Sequence, residues 1–129
     1  MIVRFMDRKE ELSTLDKLFK SGEAHLVVIY GRRRVGKTRL LLEFLKRKKG
    51  LYFYVPRGGG EIVLSEFSKV VEPEFFRGFK FRDFRSFLEY LSKKFEERTV
   101  VVIDEFQRLS ELEEVSESAR IYGFCWNYL

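Results

Sequence analysis

Apolar runs with the length of strands alternate along the chain with apolar residues at helical spacing. Residues 26–30 and 99–105 are rich in β-branched side chains, and the second run ends in two carboxylates. Such continuous runs are typical of parallel strands covered on both faces. Residues 51–55 form a shorter run that stops at Pro56. The resulting order β-α-β-α-β-α predicts an α/β fold with a parallel sheet and helices on both faces.

Between these runs, apolar residues recur every three or four positions, as on one face of a helix. These stripes are Leu12, Leu15, Leu18 and Phe19; Leu40, Leu41, Phe44 and Leu45; Phe84, Phe87, Leu88, Leu91 and Phe95; and Leu109, Leu112 and Val115. Asp7 and Asp83 are candidate N-caps, and Gly50 after a run of cations is a helix stop signal. We interpret glycines 58–60 as a flexible loop. We expect the stripe over 84–95 to pack in the core rather than to stack nucleic-acid bases.

A phosphate-binding motif lies between the first predicted strand and the helix that follows it. Residues 31–38 read Gly-Arg-Arg-Arg-Val-Gly-Lys-Thr, which is the P-loop pattern G-x-x-x-x-G-K-T. Its glycines let successive backbone N–H groups point at an anion, and the helix N-terminus adds a positive dipole. Lys37 would reach the β- and γ-phosphates, and the Thr38 hydroxyl would ligate Mg²⁺. The preceding strand and following helix are the context that the motif requires.

The second strand run ends in Asp104 and Glu105. A buried parallel strand delivers its last side chains to the sheet edge where ligands bind. Asp104 can hold Mg²⁺ there, as in the Walker B arrangement. Glu105 is then placed to orient and deprotonate an attacking water. Because simple P-loop switch proteins and kinases usually lack a glutamate at this position, the acid pair favours hydrolysis over phosphoryl transfer to a small molecule.

Composition predicts one domain over residues 1–129, because 129 residues with 45% hydrophobic content suffice for one core. No apolar run approaches the ~20 residues of a membrane span, and the single Cys125 fits a reducing cytoplasm. With 35% charged residues and one Asn and one Gln, the composition tends toward that of hyperthermophiles. We interpret His25 as the residue that opens a strand, not as a metal ligand.

The formal net charge of +5 is modest. A bound polyphosphate would neutralise part of it at the P-loop and just after it. The cations there are Arg32, Arg33, Arg34, Lys37 and Arg39. The run Lys46 to Lys49 is either a solvated helix end or a patch that faces DNA, and the sequence leaves both open.

Four segments together resemble the archaeal ATPase family, a branch of the P-loop ATPases related to AAA+ and STAND proteins. The segments are residues 5–12, 28–38, 51–53 and 102–107. The resemblance implies a three-layer P-loop fold, ATP as nucleotide, Mg²⁺ as cofactor and Glu105 as the hydrolytic residue. It implies nucleotide contacts from Gly31, Arg32, Arg33, Arg34, Val35, Gly36, Lys37, Thr38 and Arg39. It also implies that Asp7 and Arg8 lie near the adenine.

The chain differs from the family in appearing truncated after the Walker B strand. Family members carry a further strand between the P-loop strand and the Walker B strand. Residues 120–129 are rich in β-formers and could supply that strand, or a second copy of the chain could pair with the exposed edge. Arg108 and Arg120 are loose candidates for an arginine finger. We therefore expect slow hydrolysis by this chain alone, and we retain a non-hydrolysing or dimerising fragment and a DNA-associated ATPase as alternatives.

Overall fold

The computed structural model describes residues 2–6, 11–29, 35–110 and 112. Its elements in chain order are β1 (Ile2–Met6), α1 (Glu11–Lys20), β2 (His25–Ile29), α2 (Val35–Lys48), β3 (Leu51–Tyr54), α3 (Gly60–Val71), a 3-10 turn (Glu72–Glu74), α4 (Phe84–Glu96), β4 (Val100–Asp104) and α5 (Phe106–Ser110). None of the described helices is long and apolar enough to cross a membrane.

The four strands form one parallel sheet in the order β1-β2-β4-β3. The predicted α/β class and parallel sheet are therefore confirmed. The expectation of a further strand between the P-loop strand and the acid-bearing strand is wrong, because β2 and β4 pair directly from His25↔Val100 to Ile29↔Asp104. The second edge of β2 is covered by β1, which the sequence did not predict. Residues 120–129 lie outside the described residues.

Alternating residues of the strands pack into two separate hydrophobic clusters, one on each face of the sheet. Val27, Ile29 and Val102 belong to the cluster that includes residues of α1 and α2. Leu26, Val28 and Ile103 belong to the cluster that includes residues of α3, α4 and α5. The fully buried pattern of β2 and β4 follows from this double cover, which removes apolar surface from water on both sides.

The aromatic stripe of α4 packs in the core, as predicted. Phe84 and Phe87 are buried, and Phe87 lies at the centre of a group of phenylalanine rings. Asp83 is the N-cap, because its carboxylate accepts a hydrogen bond from the backbone N–H of Ser86 at 2.9 Å. That hydrogen bond lowers the pKa of Asp83 below its usual range.

The glycine segment 58–60 differs from its prediction as a flexible loop. Helix α3 begins at Gly60, and Gly59 is its N-cap in an extended conformation. The helix buries Val63, Phe67 and Val71, which recur at helical spacing and were not among the predicted stripes. Gly59 and Gly60 therefore form the start of a helix that covers β3, whereas Gly58 lies in the bend before it, with φ 135°.

Helix α2 ends with the left-handed residue one position before the predicted glycine. Lys49 has φ 60°, whereas Gly50 donates its N–H to the Leu45 carbonyl at 2.8 Å. Gly50 lies close to two side chains, because an added Cβ would be 2.7 Å from the ends of Leu45 and Phe19 and would require them to shift. The helix end thus places a lysine in a conformation that favours glycine.

Lys49→Gly is expected to raise the free energy of unfolding by about 1 kcal/mol, because glycine adopts the left-handed conformation without the Cβ penalty. Urea denaturation measures the change. Lys46→Gly is the matched control: it lies within α2, and there glycine should cost about 1 kcal/mol instead. Equal destabilisation by both substitutions would contradict the assignment of the strain to Lys49.

Candidate active site

The carboxyl ends of β2 and β4 lie side by side at one edge of the sheet. Ile29, the last residue of β2, is the register partner of Asp104, the last residue of β4. Helix α2, which follows β2, packs on one face of the sheet, and α5, which follows β4, packs on the other. In open parallel sheets, ligands bind in the crevice between two such connections, outside the carboxyl ends of the strands.

Two carboxylates are buried at this edge. Asp104 is 0% exposed and Glu105, the residue after β4, is 2% exposed. Glu105 has φ 60°, a conformation that costs a non-glycine residue about 1–3 kcal/mol and is found preferentially at functional sites. This turn directs the Glu105 N–H back to Asp104 Oδ1, to which it donates at 2.8 Å.

A side chain of β3 contacts Asp104, and side chains of α5 contact Glu105. The Tyr52 hydroxyl donates to Asp104 Oδ2 at 2.5 Å. The Gln107 amide donates to Glu105 Oε2 at 2.6 Å, and Arg108 Nη2 lies 3.8 Å from the same oxygen. Arg108 Nη1 donates to the Tyr54 hydroxyl at 2.9 Å. The two carboxylates are therefore each oriented by neighbours rather than turned freely toward solvent.

The structure describes the predicted site residues to different extents. Strand β2 and helix α2 flank the P-loop sequence, and the backbone of residues 35–38 forms the first turn of α2. Arg39 is exposed on that helix. The remaining predicted nucleotide contacts lie outside the described residues: Asp7, Arg8, Gly31, Arg32, Arg33 and Arg34. The roles of these residues stay predictions.

Sequence reasoning missed the residues that surround the acid pair. Tyr52 and Tyr54 alternate along β3, so they face the same side of the sheet. Two hydroxyl-bearing side chains in a short, otherwise apolar strand were the available signal. Arg108, a candidate arginine finger, contacts Tyr54 and Glu105, and its role stays a prediction.

The residues at this edge fit a magnesium site of the kind found with nucleoside triphosphates. Mg²⁺ prefers oxygen ligands and is bound through one or two carboxylates together with phosphate oxygens. Asp104 supplies a buried carboxylate beside the strand that leads into the P-loop. In the part of the chain that the structure describes, no group of three or more His, Cys, Asp and Glu side chains could hold a metal. A single buried carboxylate beside the strand that leads into the P-loop is compatible with an ion that takes its other ligands from phosphate oxygens and water.

A parallel α/β sheet that joins a P-loop sequence and an Asp-Glu pair at one edge defines the class of P-loop-like ATPase domains. Residues 5–122 match the model of a family described as ATPase domains predominantly from Archaea. The chain belongs to this archaeal ATPase family.

Two proteins of Methanocaldococcus jannaschii are similar to the chain. The uncharacterized protein MJECL04 is 31% identical over 105 residues, which are 81% of this chain and 22% of that protein. The uncharacterized ATP-binding protein MJ0423 is 52% identical over 48 residues, which are 37% of this chain and 81% of that protein. The chain thus spans less than a quarter of the length of MJECL04. None of the solved structures matches the chain.

Proposed function

We propose that this chain binds ATP in a three-layer P-loop fold and hydrolyses it with the help of Mg²⁺. The observation that carries the proposal is the direct pairing of β2 with β4, with Ile29 opposite Asp104. This pairing brings the strand that precedes the P-loop next to a buried acid pair. Membership of an ATPase domain family and the ATP-binding description of MJ0423 support the same function.

In the proposed reaction, Glu105 accepts a proton from water as the water oxygen attacks the γ-phosphorus. A new P–O bond forms, the bond from the γ-phosphorus to the bridging oxygen of ADP breaks, and ADP and phosphate leave. Lys37 holds the β- and γ-phosphates. Thr38 and Asp104 would hold Mg²⁺, which supplies positive charge to the phosphate oxygens when bound.

The remaining nucleotide contacts follow from the P-loop and from the family. Backbone N–H groups of the loop Gly31 to Thr38 would cradle the phosphates, with charge from Arg32, Arg33, Arg34 and Arg39 around them. Asp7 and Arg8 would flank the adenine.

Lys37→Ala is expected to weaken ATP binding by about a hundredfold, because the substitution removes the ammonium group that would hold the β- and γ-phosphates. Equilibrium binding of a fluorescent ATP analogue with Mg²⁺ measures the effect. Lys46→Ala, an exposed lysine in the last turn of the same helix, is the matched control. Unchanged binding by the Lys37 variant would contradict a P-loop site.

Turnover by the isolated chain is expected to be slow. P-loop ATPases commonly gain about 10³–10⁵ in rate from an arginine supplied by a partner or by another segment. We propose that a second copy of the chain supplies this group, so that specific activity should rise with protein concentration. Fast, concentration-independent turnover by a monomer would contradict this role for a homo-oligomer.

Association with DNA is a second candidate function, favoured by an aromatic and basic surface between α3 and α4. Phe75 and Phe76 are 49% and 65% exposed. Residues 75–85 carry four basic side chains against the single acid Asp83, and all four are exposed: Arg77, Lys80, Arg82 and Arg85. Exposed rings with interleaved cations are the chemistry that binds single strands through stacking and phosphate contacts.

Phe76→Ala is expected to weaken binding of a labelled oligothymidylate by about tenfold, which corresponds to one lost stacking contact. Arg82→Ala should lower the salt dependence of binding by about one phosphate contact. Fluorescence anisotropy at two salt concentrations measures both effects. Ile62→Ala, another exposed apolar residue, is the control. Salt-independent or absent binding by the unaltered chain would exclude this surface as a DNA site.

A further inference from the structure

We propose that β3 is a positioning strand for the acid pair: Tyr52 orients Asp104, and Tyr54 orients Glu105 through Arg108. The inference rests on the proposed ATPase function and adds residues that neither the P-loop pattern nor the acid pair contains. Tyr52 and Tyr54 are two residues apart on β3, which pairs directly with β4. Their side chains therefore face the same side of the sheet.

Tyr52 acts on Asp104 through a direct hydrogen bond. The partner of Tyr52 in the β3–β4 register is Val102, and Asp104 lies two residues farther along β4 on the same face. The Tyr52 hydroxyl donates to Asp104 Oδ2 at 2.5 Å, while the Glu105 N–H donates to Oδ1. Both carboxylate oxygens thus have a donor from the protein, which fixes the plane of the group. A carboxylate held in a fixed plane presents its lone pairs to a bound cation in a defined direction.

Tyr54 acts on Glu105 through Arg108. The Arg108 guanidinium donates to the Tyr54 hydroxyl at 2.9 Å and to the Val55 carbonyl at 3.1 Å. It also lies over the Tyr54 ring, with its central carbon 5.8 Å from the ring centroid. The planar guanidinium is therefore fixed on the end of β3, and its second nitrogen faces Glu105 Oε2 at 3.8 Å.

Gln107 completes the arrangement around Glu105. Its amide donates to the same oxygen, Oε2, at 2.6 Å. The hydrogen bond from Gln107 and the ion pair with Arg108 therefore act on the same carboxylate oxygen of Glu105, and these two side chains of α5 define its orientation. Small displacements of a general base reduce rates strongly, because the proton transfer needs hydrogen-bond distance to the attacking water.

The test compares three Tyr→Phe variants, which each remove one hydroxyl and keep the ring. Tyr52→Phe should raise the Mg²⁺ concentration needed for half-maximal ATP binding and half-maximal hydrolysis by about three- to tenfold. Tyr54→Phe should lower kcat by about tenfold and leave KM and the Mg²⁺ dependence unchanged. Tyr90→Phe is the matched control. The hydroxyl of Tyr90, on α4, also donates to a carboxylate, that of Glu74 in the 3-10 turn. This variant should change none of these values.

A second pair of variants separates positioning by Arg108 from simple structural support. Arg108→Ala should lower kcat at least as much as Tyr54→Phe. Arg108→Lys, which keeps a cation beside Glu105 but cannot form the planar contacts, should recover part of the loss. Thermal unfolding of all variants shows whether they fold like the unaltered chain. Variants that fold but match the Tyr90→Phe control in kcat and in Mg²⁺ dependence would overturn the inference.

Failure of the proposed function gives a different result. If the unaltered chain binds ATP with Mg²⁺ but does not hydrolyse it, hydrolysis is excluded, while the Mg²⁺ dependence of binding still decides the role of Tyr52. If the unaltered chain hydrolyses ATP and both tyrosine variants behave as it does, only the positioning role is excluded. A chain that neither binds nor hydrolyses ATP would overturn both.

Discussion

Glu105→Gln is expected to reduce ATP hydrolysis by about 10²–10⁴-fold while leaving ATP binding within about twofold of the unaltered chain. Glutamine has the shape of glutamate but cannot accept a proton from water. In the unaltered chain the Gln107 amide donates to Glu105 Oε2 at 2.6 Å. The amide oxygen of the new glutamine could accept the same hydrogen bond. The substitution therefore removes the base with little change in packing, although Glu105 is buried.

Phosphate release from Mg²⁺-ATP at elevated temperature measures this effect. Glu61→Gln is the matched control, because Glu61 is an exposed acid in the first turn of α3, whereas Glu105 is buried. Release that Glu105→Gln abolishes and Glu61→Gln preserves would support Glu105 as the base. Equal release by both variants would contradict that role. No release by any form would favour a nucleotide-binding protein without hydrolysis.

The elements that the sequence predicted well are those whose signal is local. The β-branched runs became β2 and β4, which are buried throughout, and the stripe behind Asp83 became α4. In each case the pattern of burial repeats within one element, so neighbouring residues carry the information. The P-loop sequence also has its expected context, since β2 precedes it and α2 follows it.

The order of the sheet could not be read from the same patterns. Strand pairing joins residues that are far apart in the chain. The pattern of residues 26–30 and 99–105 does not indicate whether another strand separates the two in the sheet. The structure shows direct pairing, and it adds β1, a short strand of five residues that includes the charged Arg4. Interruption by a charge weakened the apolar signal of β1, while pairing with β2 satisfies its backbone.

The candidate site likewise contains residues that a sequence pattern predicted and contacts that only the fold brings together. The acid pair and the P-loop were found because their spacing along the chain is diagnostic. The hydrogen bonds of Tyr52 with Asp104 and of Tyr54 with Arg108 were not predicted, because each joins β3 to residues about fifty positions away in the chain. A sequence pattern identifies groups that are adjacent in the chain, whereas the orientation of those groups depends on neighbours that only the fold brings together.

Phe87→Ala is expected to lower the free energy of unfolding by about 3–5 kcal/mol, because it leaves a cavity in the larger of the two cores. The Phe87 ring lies 5.1 Å from that of Phe53, 4.6 Å from that of Phe67 and 5.4 Å from that of Phe81. Phe87 is 1% exposed, so the space is closed to water. Urea denaturation followed by circular dichroism measures the loss, and Phe87→Leu, expected to cost about 1.5 kcal/mol, serves if the alanine variant does not fold.

Phe76→Ala is the control for this substitution, because the same atoms are removed from a side chain that is 65% exposed. It should change stability by no more than about 0.5 kcal/mol. Equal effects of the two substitutions would contradict the placement of Phe87 at the centre of the core. The effect on the site is indirect: Phe53 contacts Phe87 and lies between Tyr52 and Tyr54 on β3, with its side chain on the opposite face. A cavity beneath Phe53 should therefore make the position of β3 less fixed. Phe87→Leu, which leaves a smaller cavity in a folded protein, should for this reason lower kcat.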